Sequence, residues 1–243
     1  MDASEYDRIA QLERTHWWYV GMDRWLDGTV RALPGSARIL DAGCGTGASM
    51  RTLHEFGCVT GVDVSPLALR HARRAPGALA QAGVAAIPCA PASFDLVVCL
   101  DVLYHAWVRS DAAALREFRR VLKPGGWLVM RVPAHDWLRG RHDAVVHTAR
   151  RYSAPGLRRL LADAGFRVQR LTPLGVWLLP AAIVHRALQR LRPNGAPARS
   201  DAQALPGVIN QVLAWALTWE AELAVRRRLP WGLSLAVAAV RGT

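Results

Sequence analysis

Short apolar runs alternate with stretches of helical period along most of this chain, the pattern of strands and helices taking turns. Strand-like runs fall at residues 38–42, 58–62, 94–100, 127–132 and 166–171, with a short one near 79–82 and a last one over 233–240. Helical spacing is read over about 47–56 and over 111–121, where Leu115, Phe118 and Leu122 share the buried face. Ser65 before Pro66 predicts a helix start, with Ser65 as N-cap and the proline at the first helical position. Ser153-Ala154-Pro155 opens another helix that ends at Gly165. Residues 4–32 read as helical, interrupted by the bulky run His16-Trp17-Trp18-Tyr19. A long segment separates the last two strands. It reads as a helix over 177–191, a Pro/Gly/Ser-rich loop over 192–206 and a helix over 207–228, with Val208, Val212, Trp215, Trp219 and Leu223 as an apolar stripe. The expected organisation is a helical lid at 1–34, an α/β core made of 35–176 and 231–243, and a helical insertion at 177–230 acting as a substrate cap.

One stretch carries most of the chemistry. Leu40-Asp41-Ala42-Gly43-Cys44-Gly45-Thr46-Gly47 is followed sixteen residues later by Asp63, in Gly61-Val62-Asp63-Val64. A buried strand, a glycine turn, a helix and a second strand ending in an acid present a nucleoside-sized ligand at the carboxyl edge of a parallel sheet. Glycine supplies positive φ and removes side chains where backbone must touch ligand, and the acid can accept hydrogen bonds from ribose hydroxyls. Two ligands fit this loop. Gly43, Gly45 and Ala48 satisfy the dinucleotide fingerprint, with Asp63 at its expected distance; the same loop also reads Gly-x-Gly-x-Gly with an acid two residues before it.

At these residues the sequence resembles the class I S-adenosylmethionine-dependent methyltransferases, in a bacterial small-molecule branch. The resemblance continues through Ser93-Phe94-Asp95-Leu96-Val97-Val98-Cys99-Leu100-Asp101-Val102-Leu103-Tyr104-His105 and through Arg120-Val121-Leu122-Lys123-Pro124-Gly125-Gly126-Trp127. Four ordered motifs cover roughly residues 35–170. A dehydrogenase would leave the Lys-Pro-Gly-Gly turn and the Asp101 segment unexplained. The resemblance implies a Rossmann-like, seven-stranded, mostly parallel sheet with an antiparallel last strand, an N-terminal helical segment over the cofactor, and S-adenosylmethionine as cofactor, leaving as S-adenosylhomocysteine. It assigns Asp41, Gly43, Cys44, Gly45, Gly47, Asp63, Val64, Ala82, Gly83 and Asp101 to the cofactor. Asp41 fixes the glycine loop or meets the cofactor's ammonium. The chain departs from the family after strand three, where an acid often meets the adenine; Gln81-Ala82-Gly83-Val84-Ala85 has none, which leaves that job to backbone groups at Ala82 and Gly83.

Composition narrows the partners. At 243 residues and 51% hydrophobic, with ten Trp, the chain is long and apolar enough for a folded core. The formal charge of +12 is nearly all arginine, Lys123 being the one lysine. It points to an acidic partner: an anionic small molecule first, a membrane surface touching the basic, Trp-rich insertion second, nucleic acid third because no RNA-binding module is present. Cys44, Cys58, Cys89 and Cys99 form no Cys-x-x-Cys pair or zinc spacing, so no metal is expected and a reducing, cytoplasmic setting fits. The acidic N-terminus is unlike a signal peptide. The longest apolar runs are too short to span a bilayer.

The acceptor end is expected beyond strands four and five. His105 offers an imidazole that can take a proton near neutral pH. His142 with Asp143 reads as a base and its orienter, and Tyr152 is a further candidate catalytic group. Arg150 and Arg151 could clamp a carboxylate or phosphate. Trp18, His147 and Glu220 complete the expected substrate wall; the alternatives for these residues are loop capping, core packing or, for Glu220, a surface position. The sequence thus reads as a methyltransferase for a small, anionic or isoprenoid-type acceptor. A membrane-surface lipid methyltransferase and a non-catalytic module of the same fold are the alternatives.

Overall fold

The computed structural model describes residues 3–35, 38–140, 143, 147–191 and 206–242. Two helices, α1 (Ala3–Leu12) and α2 (Trp17–Arg31), precede β1 (Arg38–Ala42). Then follow α3 (Ala48–Leu53), β2 (Cys58–Asp63), α4 (Pro66–Ala72), β3 (Ala78–Gln81), β4 (Phe94–Leu100), α5 (Asp111–Val121) and β5 (Leu122–Pro133). After α6 (Ala154–Asp163) and β6 (Phe166–Leu174) come α7 (Leu179–Leu191), α8 (Gly207–Arg226) and β7 (Ser234–Arg241). The seven strands lie in the order β3-β2-β1-β4-β5-β7-β6. The first five are parallel, and β7 runs antiparallel to both β5 and β6. This is a Rossmann-like sheet, mostly parallel, with the last strand antiparallel to its neighbours.

Both faces of the sheet are covered, so its central strands are apolar on both sides. Leu40, Val97, Cys99, Leu128, Met130, Leu235 and Val237 point to one core, shared with Phe118 of α5 and with Leu157 and Leu161 of α6. Their neighbours Ile39, Leu96, Val98, Val129, Ala236 and Ala238 point to the other, shared with Met22, Trp25 and Leu26 of α2 and with Leu217, Ala221 and Ala224 of α8. The period-two alternation of each strand thus sorts its side chains between two helical layers.

The helix starts follow their capping residues. Ser65 Oγ accepts from the Ala68 N–H at 3.3 Å, Ser110 Oγ from Ala113 at 3.2 Å and Ser153 Oγ from Gly156 at 3.2 Å, which satisfies N–H groups that have no partner inside the helix. Strand β5 begins five residues before the expected start. Leu122 pairs with Phe94, and the register then shifts before Trp127 takes up its place beside Leu96, so the Lys-Pro-Gly-Gly turn is a bulge inside the strand.

The insertion divides in two. Helix α8 packs along α2, where a Cβ on Gly21 would lie 2.5 Å from the Leu217 Cβ; only glycine permits that approach. Leu178 and the α7 residues Ala181, Ala182 and Arg186 instead border the large cavity described below. The loop over 192–206, apart from Pro206, lies outside the described residues.

Candidate functional site

Past the carboxyl ends of β1, β2, β4 and β5 opens a cavity of about 1390 Å³. Ligand pockets commonly occupy about 300–1,000 Å³, so this one has room for two reactants side by side.

The glycine loop forms its floor. Gly43, Gly45 and Gly47 have φ of 87°, 54° and 88°. A Cβ on Gly43 would collide with the Val102 side chain, whereas one on Gly45 would meet nothing within 4 Å. Gly43 therefore serves packing, and Gly45 leaves bare backbone facing open cavity. The loop is held from below and from the side. Gly43 and Cys44 N–H groups both donate to Val62 O, at 2.7 and 3.0 Å. Asp63 Oδ2 accepts from Gly45 N–H at 3.0 Å, and Oδ1 from Ser65 N–H at 2.8 Å. Burial raises the Asp63 carboxyl above its usual range, against the lowering effect of these N–H groups.

Asp41 is buried beneath the loop, where its Oδ2 accepts the Ser49 hydroxyl hydrogen at 2.5 Å. Burial pushes its carboxyl up to about 7, with a smaller push from Asp63. It does not border the cavity among the described residues. The geometry favours the loop-fixing alternative over contact with an ammonium. Cys44, Val64 and Gly83 line the cavity, and Ala82 donates its N–H to Asp63 O at 3.0 Å. Gly83 also has nothing within 4 Å of a built Cβ, so the edge that lacks an acid is open backbone.

Asp101, after β4, has φ of +56° and donates its N–H to Arg131 O at 3.0 Å. Positive φ in a residue other than glycine costs energy and tends to persist at ligand sites. Its carboxylate takes Arg131 Nε at 3.2 and 3.1 Å and pairs with Nη2. His105 is buried, stacks on Trp107 at 4.1 Å between centroids, and borders the cavity beside Tyr104. Trp18 also lines the cavity, its ring centroid 5.8 Å from the Arg131 guanidinium carbon.

The loop after β5 departs from expectation. Asp143 is buried against Arg151, which donates from Nε at 2.9 Å and from Nη2 at 3.1 Å, while Gly140 N–H takes Oδ2 at 2.7 Å. The acid expected to orient a histidine orients an arginine; His142 itself lies outside the described residues. Arg151 spends its remaining Nη1 on Ala134 O at 2.9 Å, so it braces the loop rather than clamping an anion. Arg150 is likewise engaged, with Asp111 and, at 2.6 Å, with Val108 O, and it stands outside the cavity lining. Tyr152 is buried, donates to Asp111 at 2.9 Å, and does not border the cavity; burial pushes its phenol up, away from proton exchange at neutral pH. His147 has φ of +53°, is exposed, and lies edge-on to Trp107 at 5.9 Å, also outside the lining.

Glu220 neither enters the cavity nor reaches the surface. It is 2% exposed, and its oxygens take N–H groups of Gly175, Val176 and Trp177 at 2.5, 3.0 and 3.4 Å. It ties the end of β6 to α8.

Comparison with known proteins narrows the class. Residues 40–130 match the family model described as a methyltransferase domain. That stretch, which runs from the glycine loop through β4 into β5, is similar to a methyltransferase domain. It is 42% identical over 141 residues to a malonyl-(acyl-carrier protein) O-methyltransferase of Enterobacter lignolyticus, covering 56% of this chain and 52% of that protein. The chain thus spans about half the length of that relative. Over 226 residues it is 27% identical to a ubiquinone biosynthesis O-methyltransferase of Thiobacillus denitrificans, with 76% of this chain and 91% of that protein covered. A solved methyltransferase of Thermotoga maritima superposes with a TM-score of 0.61 at 17% identity, over 98% of this chain and 95% of its own.

The cavity also holds residues that sequence reasoning missed. Arg131 breaks the apolar run Leu128-Val129-Met130-Arg131-Val132; a charge in the middle of a buried strand is the signal, because such a charge is retained only with partners. Glu13 accepts from Thr46 of the glycine loop and from Arg51. Tyr6 of α1 lines the cavity near Asp63. No helix among the described residues is long and apolar enough to cross a membrane.

Proposed function

We propose that this protein transfers a methyl group from S-adenosylmethionine to a small-molecule acceptor. The observation that carries the reading is one cavity bordered both by the bare Gly45 backbone and Asp63 and by Trp18, Tyr104, His105 and Arg131. The relative named for ubiquinone biosynthesis favours a small acceptor.

The bound cofactor supplies the methyl group, its own leaving group and a positive charge. The residues that fit it are Asp63 for the sugar hydroxyls, Gly45 and Cys44 along the chain that carries the sulfur, and Gly83 with Val64 beside the base. Asp41 and Ser49 hold the loop in shape. Trp18 and Tyr104 position the acceptor and exclude water, which is most of what an in-line displacement asks of a protein. His105, which borders the cavity as His16 does, supplies an imidazole that can take a proton from a hydroxyl or amine; Tyr152 and Asp143 serve the scaffold. Turnover of cofactor labelled in the methyl group, with a panel of phenols, acids and amines and with metabolite extract, tests the reading. Label transferred to an organic-soluble product supports it, and no transfer to any component favours a non-catalytic module.

A second reading takes the acceptor from a membrane surface. Val208, Val212, Trp215 and Trp219 recur on one face of α8 and are exposed, Trp215 at 72%, while Arg226, Arg227 and Arg228 follow at its end. Exposed apolar stripes next to cationic residues suit an anionic interface. Flotation with anionic vesicles tests it: Trp215→Ser with Trp219→Ser lowers recovery if α8 docks, and a wild type that stays with the unbound fraction rejects it.

A further inference from the structure

We propose that Arg131 is the receptor for a carboxylate on the methyl acceptor, a proposal that rests on the methyltransferase reading and names the substrate class of the same cavity. Arg131 is 5% exposed. Asp101 occupies its Nε and Nη2, and its Nη1 is buried with no hydrogen-bond partner among the described residues. A buried guanidinium nitrogen without an acceptor is costly, and native proteins rarely keep one without a use. The side chain borders the cavity, and an acceptor oxygen that displaces the lining over Nη1 completes the set.

Its place in the sheet separates it from the cofactor's end. Arg131 pairs with Leu100 of β4 on one side and Ala236 of β7 on the other. Strand β5 is two places from β1, whose carboxyl end carries the glycine loop, a lateral offset of about 10 Å at ordinary strand spacing. Asp63, on β2, lies on the opposite side of that loop. The sugar end and the Arg131 end therefore bracket the point where a methyl group would pass.

Charge selects an anion. Six arginines and five carboxylates are among the described residues that border the cavity, and a bound sulfonium cofactor adds a further net positive charge. A mono-anion at Nη1 offsets this excess in a site of low dielectric, where unbalanced charge is expensive. A phosphate dianion suits it less, because Asp101 stands beside the single available nitrogen. The Trp18 ring, 5.8 Å from the guanidinium carbon, gives the planar carboxylate and its carbon skeleton an apolar wall. The carboxylate is a handle that orients the acceptor; an oxygen held by a cation is a poorer nucleophile than a free one, so the methylated atom lies elsewhere on the molecule.

The test is calorimetry on protein saturated with S-adenosylhomocysteine, titrated with cinnamate and hexanoate and with their amides. Wild type is expected to prefer each acid over its amide by about tenfold or more, the effect of a charge-assisted hydrogen bond. Arg131→Gln is expected to lose the preference while keeping its affinity for S-adenosylhomocysteine. Should that variant fail to fold, Arg131→Lys, which keeps a charge opposite Asp101 but not the fork, is expected to reduce the preference several-fold. Equal binding of acid and amide by wild type, no acid binding below about 1 mM, or a preference that survives in the variants overturns the proposal. A variant that loses affinity for S-adenosylhomocysteine and keeps the acid preference also overturns it, since the guanidinium then holds the cofactor's own carboxylate. Wild type that does not take up S-adenosylhomocysteine at all counts against the methyltransferase reading instead.

Discussion

Glu13 and Thr46 join the N-terminal helices to the glycine loop: the carboxylate between α1 and α2 accepts the Thr46 hydroxyl hydrogen and, through its other oxygen, an Arg51 N–H. The Glu13 side chain is 5% exposed, so solvent does little to weaken the tie. If the loop holds the cofactor, this tie makes its affinity depend on the placement of the first two helices. Glu13→Ala should raise the dissociation constant for S-adenosylhomocysteine by roughly five- to thirtyfold, equivalent to about 1–2 kcal/mol. Isothermal titration measures this. An unchanged constant means the helices sit on the loop without helping it bind.

Asp63 accepts backbone N–H groups of Gly45 and Ser65 and borders the cavity. Asp63→Ala should weaken S-adenosylhomocysteine binding by about 1–3 kcal/mol, the cost of leaving hydroxyl partners unsatisfied, with a smaller favourable enthalpy. Asp63→Asn, which keeps one acceptor oxygen, should lie between the two. Equal affinity across the three proteins would remove the sugar role.

Glu220 gathers three backbone N–H groups where β6 turns into the insertion. Glu220→Ala leaves the buried Gly175 N–H and the half-buried Val176 N–H without their acceptor and should cost about 2–3 kcal/mol of stability, read as a lower midpoint in urea, with cofactor affinity retained in the folded fraction. A variant that melts like wild type but loses turnover would return Glu220 to the substrate site.

Asp41 gives stability a pH dependence of known sign. Burial raises its carboxyl from 3.8 to about 7. Between those values the folded protein holds a proton that the unfolded chain has released, so stability falls as pH rises through that window. Asp41→Asn cannot ionise and keeps an oxygen for Ser49. Its melting temperature should decline less than that of wild type between pH 4 and pH 7, the difference amounting to at most about 4 kcal/mol. Parallel curves for the two proteins would contradict the burial argument.

How far the sequence was legible depends on where each residue's partners lie. Ser65, Ser110 and Ser153 cap helices through neighbours three residues on, and strand alternation reports which core a side chain meets; such local patterns can be read before folding. The glycine loop and Asp63 were legible for the same reason, being two adjacent βα units. Arg150, Arg151 and Asp143 were misread because their partners, Asp111, Ala134 and one another, are fixed by a loop path that no periodicity encodes. Glu220 reads as amphipathic on its own helix, yet the N–H groups it satisfies lie more than forty positions earlier in the chain. Arg131 was visible as a charge within a buried strand, but its meaning depends on Asp101 and on the cavity beside it.

The most direct measurement is calorimetry of the purified protein with S-adenosylhomocysteine and, separately, with a reduced nicotinamide dinucleotide. The account predicts saturable, one-to-one binding of S-adenosylhomocysteine in the micromolar range, about −8 kcal/mol, and none of the dinucleotide. Uptake of the dinucleotide with no response to S-adenosylhomocysteine would contradict it.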